Sequence, residues 1–102
     1  MELSLLAEKL PAEKALDWGL VNRLFDDQDS LMAGALAIAM QLASGPKSLG
    51  LMRRAYWESA RNSYEQQLDL EAQLQTQAGR SDDFKEGVAA FLAKRPAVFK
   101  GR

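Results

Sequence analysis

Residues 12–25 read AEKALDWGLVNRLF, a helix-forming run that changes at Gly19 into a short apolar segment with strand character, Leu20–Phe25. Pro11 sits where a first helical turn tolerates it, and proline disfavours helix in the residue before it. Ala12–Trp18 is therefore expected as a short helix, closed by Gly19 in the left-handed conformation that commonly ends one. An extended segment needs ladder partners, and none is supplied nearby. Upstream, ELSLLA (residues 2–7) carries no N-cap and has the look of the end of a helix. Downstream, Asp26-Asp27-Gln28-Asp29-Ser30 forms a turn that offers an N-cap.

The rest reads as helix. Leu31, Ala35, Ile38, Ala39 and Leu42 follow the spacing of one apolar helical face over Leu31–Ser44. Gly45-Pro46 separates it from a helix at about Lys47–Arg61, with Leu49, Met52, Ala55 and Tyr56 on one side. Tyr64–Ala78 is strongly polar, keeping Leu68, Leu70 and Leu74 as its large aliphatics. The last helix, about Ser81–Lys94, has Ser81 as N-cap, Asp82 and Asp83 at its positive start, and Lys94 and Arg95 at its negative end. Phe84, Val88, Phe91 and Leu92 are expected on its buried face. The fold class is all-α, with short N-terminal helices, one extended segment and about four amphipathic helices. Their apolar stripes are narrow, so they are expected to pack on a larger domain or on another copy.

Composition removes much chemistry. The 102 residues contain no cysteine and no histidine, so disulfides, thiolate nucleophiles and the commonest general base are excluded. The net charge of −1 provides no excess to attract nucleic acid. No apolar run is long enough for a membrane span, and a cytoplasmic location is the default. The last nine residues hold Lys94, Arg95, Lys100 and Arg102 without an acid, which suits a local anion site. Gly45-Pro46-Lys47-Ser48 lacks the spacing of a phosphate loop and reads as a turn. Asp82, Asp83 and Glu86 read as capping and first-turn charge; Glu65, Asp69 and Glu71 read as solvated or interfacial. Trp18 and Trp57 read as core residues before they read as ligand platforms. No self-sufficient active site, catalytic residue or metal site emerges.

Two stretches together resemble a known family. AEKALDWGLVNRLFDD, followed by a helix ending LASGP, and then GRSDDFKEGVAAFLAKRPAVFKGR, look like the C-terminal third of the crotonase superfamily, the enoyl-CoA hydratases and isomerases. The matching positions are Ala12, Ala15, Gly19, Leu20 and Val21, then Leu42, Ala43 and Pro46, then Asp83, Glu86, Gly87, Ala90, Phe91, Lys94, Arg95 and Phe99. The final stretch is most similar to the bacterial hydratase/isomerases of phenylacetate degradation.

The resemblance implies a longer enzyme whose oxyanion hole and catalytic carboxylates precede Met1, which would then be an internal methionine. Residues 1–28 would be the end of its spiral core and a hinge. Residues 29–102 would be the helical trimerisation and capping domain. The substrate would be an acyl-CoA thioester, with no cofactor beyond the coenzyme A it carries. The assembly would be a homo-oligomer, a trimer or a dimer of trimers. Phe91 would border the acyl or pantetheine region, and Lys94, on the same helix face at i+3, would meet the nucleotide end. Arg95 and Lys100 are weaker candidates for that role. Against this stand a core role for Phe91 and a helix-end charge for Lys94. The alternative for the whole chain is a free-standing helical protein-interaction module.

Overall fold

The computed structural model describes residues 2–102. They form six helices: α1 (Glu2–Leu6), α2 (Ala12–Asp17), α3 (Gln28–Ala43), α4 (Ser48–Ser59), α5 (Tyr64–Gly79) and α6 (Asp82–Leu92). The all-α class expected from the sequence is observed, with no strand among the described residues. The chain divides into two compact units, one ending at Ile38 and one running from Ala39 to Arg102.

In the first unit, α2 ends as its sequence requires. Gly19 takes φ +71°. Its N–H donates to the Leu16 carbonyl at 2.9 Å, and the Leu20 N–H donates to the Ala15 carbonyl at 2.9 Å. These are the paired bonds of a Schellman motif. The following segment does not become a strand. Residues 20–25 follow bends and irregular backbone, because a lone extended segment has no neighbour to complete a ladder. Leu20, Val21, Leu24 and Phe25 all remain exposed. Phe25 is anchored nonetheless, since its ring occupies the position a Cβ at Gly34 would take. That contact explains a glycine inside α3, where it otherwise costs helix stability.

α3 starts three residues earlier than its apolar periodicity suggests. The Ser30 N–H donates to the Asp27 carboxylate at 2.7 Å, and the Asp27 N–H donates to the Ser30 hydroxyl at 3.2 Å. Each satisfies a donor the other leaves open, so the helix begins at Gln28.

In the second unit, α5 is started by a capping box. The Gln66 N–H donates to Ser63 Oγ, and the Ser63 N–H donates to Gln66 Oε1. α6 is capped by Ser81, whose hydroxyl accepts from the Phe84 N–H at 3.1 Å. α5 packs against both α4 and α6. The apolar side chains buried in this packing are few: Leu74 at 5% exposure and Ala90 at 2%.

The expected burial of Phe84, Val88, Phe91 and Leu92 is corrected by the structure, which leaves all four exposed. The helical spacing of these residues is right, but within the second unit the face they make stays open. Trp18 and Trp57 are likewise exposed rather than core. Each lies beneath a cation four residues before it, Lys14 and Arg53 respectively, a contact that requires only the helical i, i+4 spacing.

Candidate functional site: the groove along the last helix

The site is built on α6 and the tail that follows it. α6 ends at Leu92, before the position sequence periodicity gives it. The Lys94 N–H donates to the Phe91 carbonyl at 3.2 Å, and the Arg95 N–H donates to the Ala90 carbonyl at 3.0 Å. This is a second Schellman motif, with Lys94 rather than glycine at the left-handed position, φ +51°. Lys94 and Phe91 therefore do not share a helix face at i, i+3, contrary to the sequence expectation. Lys94 lies past the helix end, and its side chain leaves a reversed backbone rather than the Phe91 face.

Beyond Pro96 the chain returns along α6, and two carboxylates hold it there. Glu86 accepts two bonds from the Arg95 guanidinium, at 2.6 and 2.9 Å, and a third from the Val98 N–H at 2.9 Å. Asp83, only 3% exposed, accepts from the Lys100 N–H at 2.7 Å through one oxygen. Through the other it accepts from the Lys47 and Gly101 N–H groups, both at 2.9 Å. Its own N–H donates to the Arg102 carbonyl at 3.0 Å.

These bonds keep both groups ionised. The Arg95 guanidinium, helped by the Val98 amide, holds Glu86 at about 2. The Lys100 amide leads in pulling Asp83 below the usual carboxylate value, against a desolvation that raises it. Donors aimed at the charged form favour it. The reading of Asp83 and Glu86 as plain first-turn charge is thus replaced by a structural one. Both fasten the C-terminal tail. The sequence hint was present: Arg95 and a basic, glycine-containing end follow the two acids.

Between α6, the α3–α4 turn and the tail lies a groove of about 360 Å³. Its lining includes Pro46 from the turn, Ala78 from α5, Phe84, Val88 and Phe91 from α6, and Phe99 from the tail. Phe91, 82% exposed, faces this groove, whereas Lys94, Arg95 and Lys100 are not among its lining residues. Arg95 is engaged by Glu86, and Lys100 contributes its backbone to Asp83. The walls suit an apolar chain. They bring no acid–base pair to a reacting atom, because Asp83 is the one carboxylate among the lining residues and it is already engaged by three N–H donors. Among the described residues no group of three carboxylate-type ligands could hold a metal ion.

Comparison with known proteins gives this architecture a family. The Enoyl-CoA hydratase/isomerase family profile matches residues 1–102. The 1,2-epoxyphenylacetyl-CoA isomerase of Escherichia coli K12 is 44% identical across 100% of this chain, which covers 39% of that protein. A probable enoyl-CoA hydratase of Rhodobacter capsulatus is 42% identical, again over the whole chain and 40% of the relative. Among solved structures, the enoyl-CoA hydratase from Polaromonas sp. JS666 superposes with a TM-score of 0.87 at 31% identity, covering 97% of this chain and 38% of that one. The chain thus spans about 40% of the length of the relatives it matches. A profile match from end to end, relatives at over 40% identity and a shared helical fold show that the chain belongs to the enoyl-CoA hydratase/isomerase family of the crotonase superfamily.

Proposed function

We propose that this chain serves as the C-terminal helical domain of an enoyl-CoA hydratase/isomerase that acts on acyl-CoA thioesters in the cytoplasm. The observation that carries the reading is the coverage: the whole chain aligns, over only about two fifths of each relative. The oxyanion hole and the carboxylates that move protons belong to the longer enzyme. The chain contributes the oligomer interface of a trimer or dimer of trimers, and closes the CoA site. Phe91 borders the acyl or pantetheine portion, consistent with its place in an apolar groove. Lys94 offers its ammonium to the nucleotide end as a point charge, a role a mobile lysine suits. No cofactor is needed beyond the coenzyme A of the substrate. The identity to an epoxyphenylacetyl-CoA isomerase supports a place in phenylacetate catabolism.

A crotonyl-CoA hydration assay tests the division of labour. A longer enzyme containing this chain should turn the substrate over, and the purified 102-residue chain should not. Turnover by the chain alone above the uncatalysed rate overturns the proposal.

A further inference from the structure

Asp83 is a buried carboxylate that no catalytic step uses. None of the ion pairs among the described residues includes it. Every bond it accepts comes from backbone amides of two segments distant in sequence. One donor, Lys47, directly follows Pro46; another, Lys100, directly follows Phe99. Pro46 and Phe99 are both walls of the groove that also contains Phe91. The α3–α4 turn is otherwise held by local backbone bonds, the Leu49 N–H donating to the Pro46 carbonyl at 3.0 Å, and the tail by Glu86 through Arg95 and Val98. Asp83 is what links the two to each other. Pro46 has no N–H to donate, and Phe99 meets α6 where Gly87 provides space, the ring standing 3.7 Å from where a Cβ would be.

We infer that Asp83 is a positioning residue for acyl-CoA: by holding the Lys47 and Lys100–Gly101 amides together, it sets Pro46 and Phe99 at the separation that shapes the groove. The inference rests on the proposed function and adds to it a residue that touches no substrate. A carboxylate is required because both oxygens must accept. An asparagine of the same size presents one oxygen and one NH₂, and the NH₂ would face amide donors. Glu86 holds the tail two residues earlier than Lys100, at Val98, and cannot replace the bond to the α3–α4 turn.

The test is Asp83→Asn in a full-length enzyme containing this chain, read by kinetics and by amide exchange. Exchange at Lys47, Lys100 and Gly101 should accelerate about tenfold or more as the tether opens. KM for an enoyl-CoA should rise about fivefold with kcat within about twofold, the pattern of lost substrate binding rather than lost chemistry. Phe99→Ala leaves Asp83 and its bonds in place and should raise KM similarly. The two changes together should cost no more than either alone, because they act through one wall.

Accelerated exchange with an unchanged KM overturns the inference, as does unchanged exchange. Full additivity with Phe99→Ala overturns it as well. Should Asp83→Asn fail to fold, Phe99→Ala decides: an unchanged KM removes the tail wall from substrate binding. An enzyme inert toward enoyl-CoA with the wild-type chain overturns the proposed function instead, so the two failures are distinguishable.

Discussion

Lys94 occupies a left-handed backbone position that a helix end normally gives to glycine, and replacing it separates its structural cost from its proposed role. A side chain with a Cβ in this conformation costs about 1–2 kcal/mol. Lys94→Gly recovers that cost but returns about 0.4–1 kcal/mol through the greater freedom of the unfolded chain. The net expectation is stabilisation of the α6 terminus by about 0.5–1 kcal/mol, roughly two- to fivefold in a local opening equilibrium. Lys94→Ala keeps the Cβ and should leave that equilibrium nearly unchanged. Amide exchange at Lys94 and Arg95, the two donors of the Schellman motif, reads the effect directly. In a full-length enzyme, both variants should raise KM for acyl-CoA equally, because both remove the ammonium. Exchange in Lys94→Gly that is no slower than in Lys94→Ala would refute the backbone argument. An unchanged KM in both would remove Lys94 from the CoA site.

Other perturbations give equally direct readouts. Glu86, held at about 2 against an ordinary 4.5 by Arg95 first and the Val98 amide second, gives the tail clamp a defined pH window. The folded carboxyl is depressed, so its contribution is complete above about 4.5, declines below it, and is gone once pH falls through about 2. The Val98 amide resonance should titrate with that low midpoint. Arg95→Ala should move the midpoint up toward 4.5, and a midpoint unaffected by the substitution would contradict the clamp; Lys100 is the other cation bearing on it. The helical glycines Gly87 and Gly34 should respond with opposite signs. Gly87→Ala meets Phe99 only at van der Waals distance and should stabilise by up to about 1 kcal/mol through helix propensity. Gly34→Ala places a methyl on the Phe25 ring and should destabilise by about 1 kcal/mol after the same propensity gain, since overpacking costs about 1–3 kcal/mol. Denaturant titrations compare them, and equal effects would show that Phe25 does not rest on Gly34.

Much of the fold was legible because it depends on local rules. Gly19 as a helix stop, Ser81 as an N-cap and Gly45-Pro46 as a break all follow from backbone conformation within a few residues, and each appears where the residues place it. The helical face of Phe84, Val88 and Phe91 was legible too, and the narrow apolar stripes pointed to packing outside the chain, but not to which of these residues would stay exposed. Periodicity identifies which residues share a face, while burial depends on what lies against it. Leu20–Phe25 shows the same limit. Its residues favour extended structure, yet strand formation needs a second segment to bond with.

The candidate site divides along the same line. Apolar periodicity, caps and breaks along the chain determined the helical class and the helix boundaries to within a few residues, and AEKALDWGLVNRLF with the final DFKEGVAAFLAKRPAVF run pointed to the family that the end-to-end comparison shows. They also singled out Phe91, which lines the groove. Only the tertiary structure decided what Asp83 and Glu86 do. Asp83 bonds to residues 36, 17 and 18 positions away, and Glu86 to Arg95 and Val98 across the reversal at Lys94. An acid in the first turn of a helix is stabilised by the helix dipole whatever else surrounds it, so sequence alone cannot distinguish a solvated charge from a tether. That distinction required the chain to turn back on itself and bring its amides to the carboxylate.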